Sequence, residues 1–183
     1  MYNVFIDGRE GTTGLQIFER LAKRGDVNII ALPEEKRKDP KARKECLNSA
    51  DISFLCLPDA AARESVSLIE NKRARVIDAS TAHRTNPEWV YGLPEISKER
   101  RGEIAESNRV ANPGCHATGF ISLVAPLVKG GIVGADYPFV AHSVTGYSGG
   151  GKKMIAEYEA EERDILLDSP RQYALTLSHK HIP

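Results

Sequence analysis

The opening segment of the chain reads as a strand, a glycine-rich turn, a helix and a second strand, and this order constrains the fold more than any other feature. Residues 4–7 are a short apolar strand, and Leu15, Phe18 and Leu21 recur at the spacing of one helix face. Residues 27–32 form the second strand. A strand, a helix and a strand within about 30 residues make a βαβ unit, whose strands are parallel. We therefore predict an α/β chain that begins with a Rossmann-type parallel sheet.

The same alternation continues and then changes character near residue 115. We predict two domains: residues 1–114 as a nucleotide-binding Rossmann domain, and residues 115–183 as part of an α+β catalytic and oligomerisation domain. In the second domain, residues 139–145 and 173–177 read as strands, and residues 154–167 read as an acidic helix.

Three glycines follow the first strand with the spacing G-x-x-G-x-x-G. Gly8 allows the tight turn, Gly11 lets the backbone approach a pyrophosphate, and Gly14 lets the helix pack close to the strand. Phosphate then sits on the helix N-terminus. The alternative is an ordinary strand–helix turn, and the βαβ context favours a dinucleotide site. The predicted cofactor residues in this turn are Gly8, Gly11, Thr12, Thr13 and Gly14.

Charged residues follow the second strand and indicate which dinucleotide is bound. An NAD site usually carries an acidic residue here, but Glu34 and Glu35 lie beyond Pro33 and are followed by the cations Lys36, Arg37 and Lys38. Three cations are suited to a 2′-phosphate, so we predict NADPH/NADP⁺ as the cofactor. The alternative is a solvated charged loop.

Cys115 follows an Asn-Pro-Gly turn at the head of an apolar helix. A thiol at a helix N-terminus lies near unpaired backbone N–H groups and the positive end of the helix dipole, which favour the thiolate. The same N–H groups can hold an oxyanion on an acyl substrate. The alternative is a buried structural cysteine. Pro126 lies inside the helix and is expected to kink or shorten it.

Two other segments contain candidate ligand-binding residues. Ser80 and Arg84 follow the predicted strand 75–78, and ligands bind at the carboxyl ends of parallel strands. Gly149 and Gly150 belong to a run of three glycines beside Lys152, where the backbone can approach a ligand closely. The alternatives are a surface ion pair for Arg84 and a flexible linker for the glycines.

Charge and cysteine usage exclude several classes of function. Lys plus Arg equal Asp plus Glu at 25 each, which gives no support to a nucleic-acid or anionic-membrane role. The three cysteines show no CxxC pairing, so neither a metal site nor a disulfide scaffold is expected. With no signal peptide or membrane span in the sequence, we expect a cytoplasmic protein.

Three motifs occur in a specific order along the chain. They are Asn112-Pro113-Gly114-Cys115 with Ala117-Thr118-Gly119, then Ser143-Val144-Thr145-Gly146-Tyr147-Ser148-Gly149-Gly150-Gly151-Lys152, then His179-Lys180-His181-Ile182-Pro183. Together they resemble the N-acetyl-gamma-glutamyl-phosphate reductase family in its shorter form. The resemblance covers essentially the whole chain.

The resemblance implies NADPH-dependent reduction of N-acetyl-L-glutamyl 5-phosphate to the 5-semialdehyde, with release of phosphate, in arginine biosynthesis. It implies Cys115 as the nucleophile and either His179 or His181 as its acid–base partner. Substrate-binding candidates are Ser80, Arg84, Arg109 and Lys152. Family members continue past the last motif, so we expect the chain to be a fragment whose full-length form is a dimer or tetramer.

Other functions remain open from the residues alone. A related semialdehyde dehydrogenase, of the aspartate-semialdehyde or N-acetyl-aminoadipyl-phosphate type, shares the same thiolate and hydride chemistry. A non-catalytic nucleotide-binding fragment predicts NADPH binding without turnover. A hydrolase that uses Cys115 predicts thioester cleavage without a cofactor. The glycine turn, the thiol and the histidine pair together favour the reductase.

Overall fold

The computed structural model describes residues 1–9, 11–173, 175 and 179, the side chain of Thr12 excepted. One parallel sheet organises the chain as far as residue 111. Its strands are β1 (Tyr2–Asp7), β2 (Val27–Ile30), β3 (Ile52–Leu55), β4 (Arg75–Asp78), β5 (Val90–Tyr91) and β6 (Arg109–Ala111). They lie in the order β2-β1-β3-β4-β6-β5, and every neighbouring pair is parallel. The predicted Rossmann-type sheet is confirmed.

Helices connect these strands. They are α1 (Thr12–Leu21), α2 (Pro40–Ser49), α3 (Asp59–Ser67), α4 (Lys98–Glu106) and α5 (Cys115–Lys129). The Asp39 side chain caps α2 by accepting a hydrogen bond from the backbone N–H of Lys41 at 2.9 Å. Asp59 is the first residue of α3, and its carboxylate accepts hydrogen bonds from the Thr81 N–H and hydroxyl instead of capping the helix.

The hydrophobic core lies on one face of the sheet, under α2 and α3. Phe5, Leu55 and Val76 point to this face and are almost completely buried. They cluster with Leu47 from α2 and with Trp89, which precedes β5. Burial of each large side chain contributes about 1.5–3 kcal/mol. This packing fixes the carboxyl ends of the central strands, where the candidate site residues lie.

The helix α5 does not stop at its proline. Pro126 lies inside α5, which was expected to be kinked or shortened there but continues to Lys129, with Gly130 as its C-cap. A proline this close to the C-terminus removes one intrahelical N–H bond, and the last turn still forms.

The chain divides into two compact units, Met1–Asp136 and Tyr137–Pro183. In the described part of the second unit, α6 (Gly151–Glu159) is preceded by a 3-10 turn at Tyr147–Gly150 and followed by another at Ile165–Asp168. The predicted helix over 154–167 is therefore wrong in both bounds.

The predicted strand over 139–145 is also wrong in this structure. These residues have no strand assignment, and Val140 and Val144 are 98% and 87% exposed. An apolar alternation forms a strand only when a neighbouring strand supplies backbone partners. The predicted strand over 173–177 lies mostly outside the described residues. No helix in the described part of the chain combines the length and the apolar character needed to cross a membrane.

Candidate active site

The turn after β1 is built so that only glycine fits. Gly8 has φ +85°, and a Cβ placed there would lie 2.4 Å from the carbonyl oxygen of Cys56. A Cβ on Gly14 would lie 2.5 Å from the carbonyl oxygen of Gly8. Gly11 is the N-cap of α1 and contributes no side-chain cap. The first N–H groups of α1 therefore have no side-chain cap, and the N-terminus of a helix is a setting in which a phosphate can bind.

A cleft of about 260 Å³ opens beside this turn at the carboxyl ends of β1, β2 and β3. Gly8, Gly11, Arg37 and Lys38 are among its lining residues. Lys36, the third predicted cation, is not among them. Complete ligand pockets usually measure about 300–1,000 Å³, so this cleft suits one part of a dinucleotide.

Behind the glycine turn is a buried ion pair that the sequence analysis missed. The Asp7 carboxylate accepts hydrogen bonds from Arg43 Nε at 3.2 Å, Arg43 Nη2 at 3.1 Å and Ser65 Oγ at 2.8 Å. Arg43 also donates to Glu64 at 3.1 Å. Burial by itself would lower the pKa of Arg43, but the charges and hydrogen bonds of Asp7 and Glu64 raise it overall. The pair ties α2 and α3 to the end of β1, directly before Gly8.

The loop after β4 is fixed by a second buried cluster. Asp78 is fully buried, and its carboxylate accepts hydrogen bonds from the Ser80 N–H at 2.9 Å and the Ser80 hydroxyl at 2.7 Å. The Nδ1 atom of His83 lies 2.6 Å from Asp78 Oδ2. The His83 ring stacks on Trp89, with ring centroids 4.0 Å apart and an angle of 10° between the planes. His83 is a buried structural partner of Asp78.

Arg84 joins this loop to the segment that precedes the cysteine. Its Nε donates to the carbonyl of Asn112 at 2.9 Å, and its Nη2 donates to the carbonyl of Ala79 at 3.2 Å. Nη1 is buried and has no hydrogen-bond partner in the part of the chain that the structure describes. The structure therefore brings Arg84 and Ser80 to the same sheet edge as the Cys115 turn.

Cys115 is exposed and is the first residue of α5. Gly114 is the N-cap, no side chain caps the helix, and no acidic residue lies in its first turn. The Thr118 hydroxyl donates to the carbonyl of Gly114 at 2.9 Å, which holds the first turn of the helix closed. An exposed thiol at an uncapped, acid-free helix N-terminus is in the expected setting for a nucleophile.

The other two cysteines have different surroundings. Burial, with smaller contributions from the negative charges of Asp7 and Asp78, raises the pKa of Cys56 to about 11. Burial is also the main reason why the pKa of Cys46 is raised. Both thiols are held in the unreactive neutral form at pH 7.

Arg109 is not at this edge of the sheet. It is the first residue of β6, and its Nη1 donates to the carbonyls of Ala74 and Asn108 at 2.9 Å each. Both carbonyls lie at the amino ends of β4 and β6, and burial lowers the pKa of Arg109. The structure thus places this candidate substrate residue at the opposite end of the strands from Cys115.

The glycine run in the second unit forms the entry to α6. Gly151 has φ +76°, and a Cβ on Gly149 would lie 2.8 Å from Thr145 Oγ1. The Tyr147 ring stacks on Tyr158 at 5.0 Å, and its hydroxyl donates to Glu159 at 3.1 Å, which raises the pKa of Tyr147. The turn leads into the first residue of α6, and Tyr147 also ties it to the last turn of the same helix.

The remaining predicted residues lie in the same unit. Lys152 is exposed in the first turn of α6. The His179 ring makes an edge contact with Tyr173 at 5.5 Å. His181 lies outside the described residues, as does the side chain of Thr12. Among the described residues, no group of three or more His, Cys, Asp or Glu side chains is arranged to hold a metal ion.

Two protein-family models match this chain and identify its family. Residues 3–104 match the family described as "Semialdehyde dehydrogenase, NAD binding domain". The chain belongs to the semialdehyde dehydrogenase family. Residues 115–183 match "Semialdehyde dehydrogenase, dimerisation domain". The first semialdehyde dehydrogenase match contains the glycine turn and the cleft, and the second begins at Cys115.

Similar curated proteins carry the name that the motifs indicated, so the resemblance is confirmed. The chain is 56% identical to "N-acetyl-gamma-glutamyl-phosphate reductase 2" of Pseudomonas putida over 98% of its own length. Identity to "N-acetyl-gamma-glutamyl-phosphate reductase" is 56% for Chelativorans sp. and 51% for Burkholderia cenocepacia, again over 98% of this chain. The chain spans 57–58% of the length of these relatives.

Solved semialdehyde dehydrogenases share the fold. "Aspartate semialdehyde dehydrogenase II" from Vibrio cholerae matches 94% of this chain and 55% of its own, with a TM-score of 0.62 at 18% identity. "Aspartate Semialdehyde Dehydrogenase" from Francisella tularensis matches 91% of this chain and 53% of its own, with a TM-score of 0.62 at 17% identity. At this identity the likeness extends to architecture alone.

Proposed function

We propose that this chain is the nucleotide-binding and nucleophile-bearing part of an N-acetyl-gamma-glutamyl-phosphate reductase. The reaction is NADPH-dependent reduction of N-acetyl-L-glutamyl 5-phosphate to N-acetyl-L-glutamate 5-semialdehyde, with release of phosphate, in arginine biosynthesis. The names of relatives at 51–56% identity support this substrate.

The observation that carries the proposal is the position of Cys115. It lies just after the carboxyl end of β6, exposed at the N-terminus of α5, on the same sheet edge as the glycine turn. In an open parallel sheet this edge is where a dinucleotide and its substrate meet. A nucleophilic thiol at that edge suits acyl transfer followed by hydride transfer.

The cofactor proposed is NADPH, and the cleft at β1–β3 fits it. Gly8 and Gly11 leave the N-terminus of α1 open to a pyrophosphate, and a side chain at Gly8 would collide with the backbone. Arg37 and Lys38 line the cleft and are the residues proposed to hold the 2′-phosphate. Lys36 is adjacent and adds charge. When bound, NADPH supplies a hydride to the acyl carbon.

The chain's own residues account for the remaining chemistry. The Cys115 thiolate attacks the acyl phosphate carbon, the carbon–oxygen bond to phosphate breaks, and a thioester on Cys115 remains. N–H groups at the start of α5 stabilise the oxyanion that forms during attack. We propose His179 or His181 as the group that moves the proton and Lys152 as a ligand of the substrate anions, while Ser80 holds its loop through Asp78. Gly149 and Gly150 let the backbone approach the cofactor.

We propose that the two functions divide at the boundary predicted from the sequence, between residues 114 and 115. We propose residues 1–114 as the NADP-binding part and residues 115–183 as part of the catalytic and oligomerisation part, and a homodimer or homotetramer for the whole protein. The name of the second matched family, a dimerisation domain, supports self-association. A cytoplasmic location is proposed because a nucleophilic thiol is kept reduced there.

The reverse reaction tests the function. NADP⁺ reduction is followed by absorbance, with N-acetyl-glutamate semialdehyde and phosphate, for this chain and for a version extended to the length of its relatives. We expect NADP⁺ reduction to require phosphate. Its rate should fall at least about a thousandfold in Cys115→Ser, as when an essential nucleophile is lost. Cys46→Ser is the matched control. Turnover independent of phosphate would refute the acyl-phosphate reading.

A further inference from the structure

Arg84 connects the two loops that leave the adjacent strands β4 and β6. Its side chain starts in the β4 loop and donates from Nε to the carbonyl of Asn112, in the segment after β6. On its other side the same peptide segment is bonded to β4, because the Asn112 N–H donates to the carbonyl of Asp78 at 2.7 Å. Asn112 is therefore held at both its N–H and its carbonyl.

Asn112 begins the short turn that delivers the nucleophile. Pro113 has a fixed φ, Gly114 is buried as the N-cap of α5, and Cys115 follows at once. With so little freedom between them, the direction of the Asn112 peptide sets the direction of the first turn of α5. The sulfur and the N–H groups around it move with that peptide.

One side of the Arg84 guanidinium is committed to the backbone. Nε and one N–H of Nη2 donate to two backbone carbonyls, and Nη1 has no partner in the described part of the chain. Neighbouring N–H donors such as Nε and Nη2 can grip a phosphate or carboxylate as a pair. Arg84 uses this pair to hold the loop.

The backbone beside Arg84 is in turn held by a buried cluster. His83 is 6% exposed, with one face of its ring on Trp89 and its Nδ1 on the carboxylate of Asp78. That carboxylate also accepts both hydrogen bonds of Ser80. The backbone on either side of the loop is therefore fixed, and Arg84 leaves it in a defined direction.

We propose that Arg84 is a positioning residue for Cys115 and that it acts through the Asn112 peptide. The Asp78–His83 pair keeps Arg84 in place. This inference rests on the proposed function only in naming Cys115 as the nucleophile, and it gives Arg84 a role beside the substrate-binding role that the sequence indicated.

Thiol reactivity tests the proposal without any turnover. The rate of Cys115 carbamidomethylation by iodoacetamide at pH 7 is measured by mass spectrometry on this chain and on Arg84→Gln and Arg84→Lys. We expect both variants to react about threefold to fivefold more slowly, the size of a helix-terminus effect on a charged group. Lysine keeps the charge but lacks the planar fork that reaches two carbonyls.

Two matched arginines serve as controls. Arg63 donates to the carbonyl of Ala82 in the same loop and, within the described residues, makes no hydrogen bond to the cysteine turn. Arg75 donates to carbonyls at the other end of the sheet. Their Gln variants should leave the Cys115 rate within about twofold, as expected for independent sites. Wild-type reactivity in Arg84→Gln would overturn the proposal. Slow reaction in Arg84→Gln with a wild-type rate in Arg84→Lys would also overturn it, because charge alone would then suffice.

Steady-state kinetics on the extended protein separate positioning from substrate binding. Arg84→Gln should lower kcat by about a hundredfold, as expected for a misplacement of about 1 Å, with KM for the acyl phosphate little changed. A raised KM with unchanged kcat would overturn positioning. If the proposed reaction itself is absent, the alkylation result still decides the role of Arg84.

The role of His83 is tested by non-additivity. His83→Phe keeps a ring to stack on Trp89 but removes the contact with Asp78. We expect it to slow Cys115 alkylation in the same direction, and we expect Arg84→Gln to add little in that background. Independent, additive effects would show that His83 does not act through Arg84. Tryptophan fluorescence of each variant reports whether the cluster around Trp89 is still folded.

Discussion

The buried pair of Arg43 and Asp7 predicts a large and specific loss of stability. In Arg43→Met the apolar stem remains, but the Asp7 carboxylate loses two hydrogen bonds and its counter-charge while it stays buried. Arg43 and Asp7 are 5% and 4% exposed, so water cannot compensate. Removing one partner of a buried pair usually costs about 3–5 kcal/mol in the free energy of unfolding. At about 2–4 °C per kcal/mol, this corresponds to a midpoint lowered by about 6–20 °C.

Trp89 provides the assay. It is the single tryptophan, it is 9% exposed, and it lies in the same core cluster as Phe5. Its fluorescence therefore follows unfolding of the first unit in urea or on heating, without a contribution from the second. We expect the double variant Arg43→Met with Asp7→Leu to recover much of the loss, because it leaves no isolated buried charge.

An exposed ion pair is the control. Arg24 and Asp26 are bonded through two guanidinium nitrogens at 2.8 and 2.6 Å, yet their side chains are 58% and 52% exposed. Solvent screens such a pair, so Arg24→Met should leave the Trp89 transition almost unmoved. If Arg43→Met lowers the free energy of unfolding by less than about 1 kcal/mol, the value of a surface pair, the reasoning from burial is refuted.

Three more predictions concern the cleft and the thiols. Gly8→Ala should lower the free energy of unfolding by about 1–3 kcal/mol because its positive φ is strained for alanine. The loss should be larger because the new Cβ meets the Cys56 carbonyl. Unchanged NADPH binding in a folded variant would contradict the close approach of this backbone to the cofactor. Arg37→Gln should weaken NADPH binding at least about tenfold more than NADH binding, whereas Lys36→Gln should show a smaller difference, since Arg37 lines the cleft and Lys36 does not. Calorimetry that finds the two variants equal would refute the distinction. The alkylation rate of Cys56, whose pKa is raised to about 11, should increase about tenfold per pH unit from pH 7 to 10. A rate that levels off below pH 9 would contradict the argument that burial raises this pKa.

Local sequence signals predicted the parts of the fold that depend on local chemistry. The βαβ unit, the turn at Gly8 and the start of α5 at Cys115 each follow from residues close together in the chain. The strand 75–78 agrees with β4 residue for residue. In each case a few neighbouring residues determine the backbone conformation or the apolar periodicity.

The parts that sequence reasoning missed depend on distant partners. Asp7 and Arg43 are separated by 36 positions, and nothing in either neighbourhood indicates that they pair. Arg109 is a candidate anion ligand by its charge, but its position at the start of β6 directs Nη1 to two backbone carbonyls. A signal did exist for Asp7 and Asp78, since an acidic residue that ends a buried strand needs a partner nearby, but it does not say which residue that partner is.

The position of β5 in the sheet has a consequence for synthesis of the chain. β5 is the outermost strand of the sheet and pairs with β6, although β6 comes later in the chain. Val90–Tyr91 therefore has no strand to pair with until Arg109–Ala111 has left the ribosome and paired with β4. At about 5–20 residues per second, that wait lasts roughly one to four seconds. During the wait Val90 and Tyr91 lack the backbone partners that β6 supplies. A nascent chain paused before β6 would therefore expose the N–H and C=O groups of this segment to other strands and to chaperones.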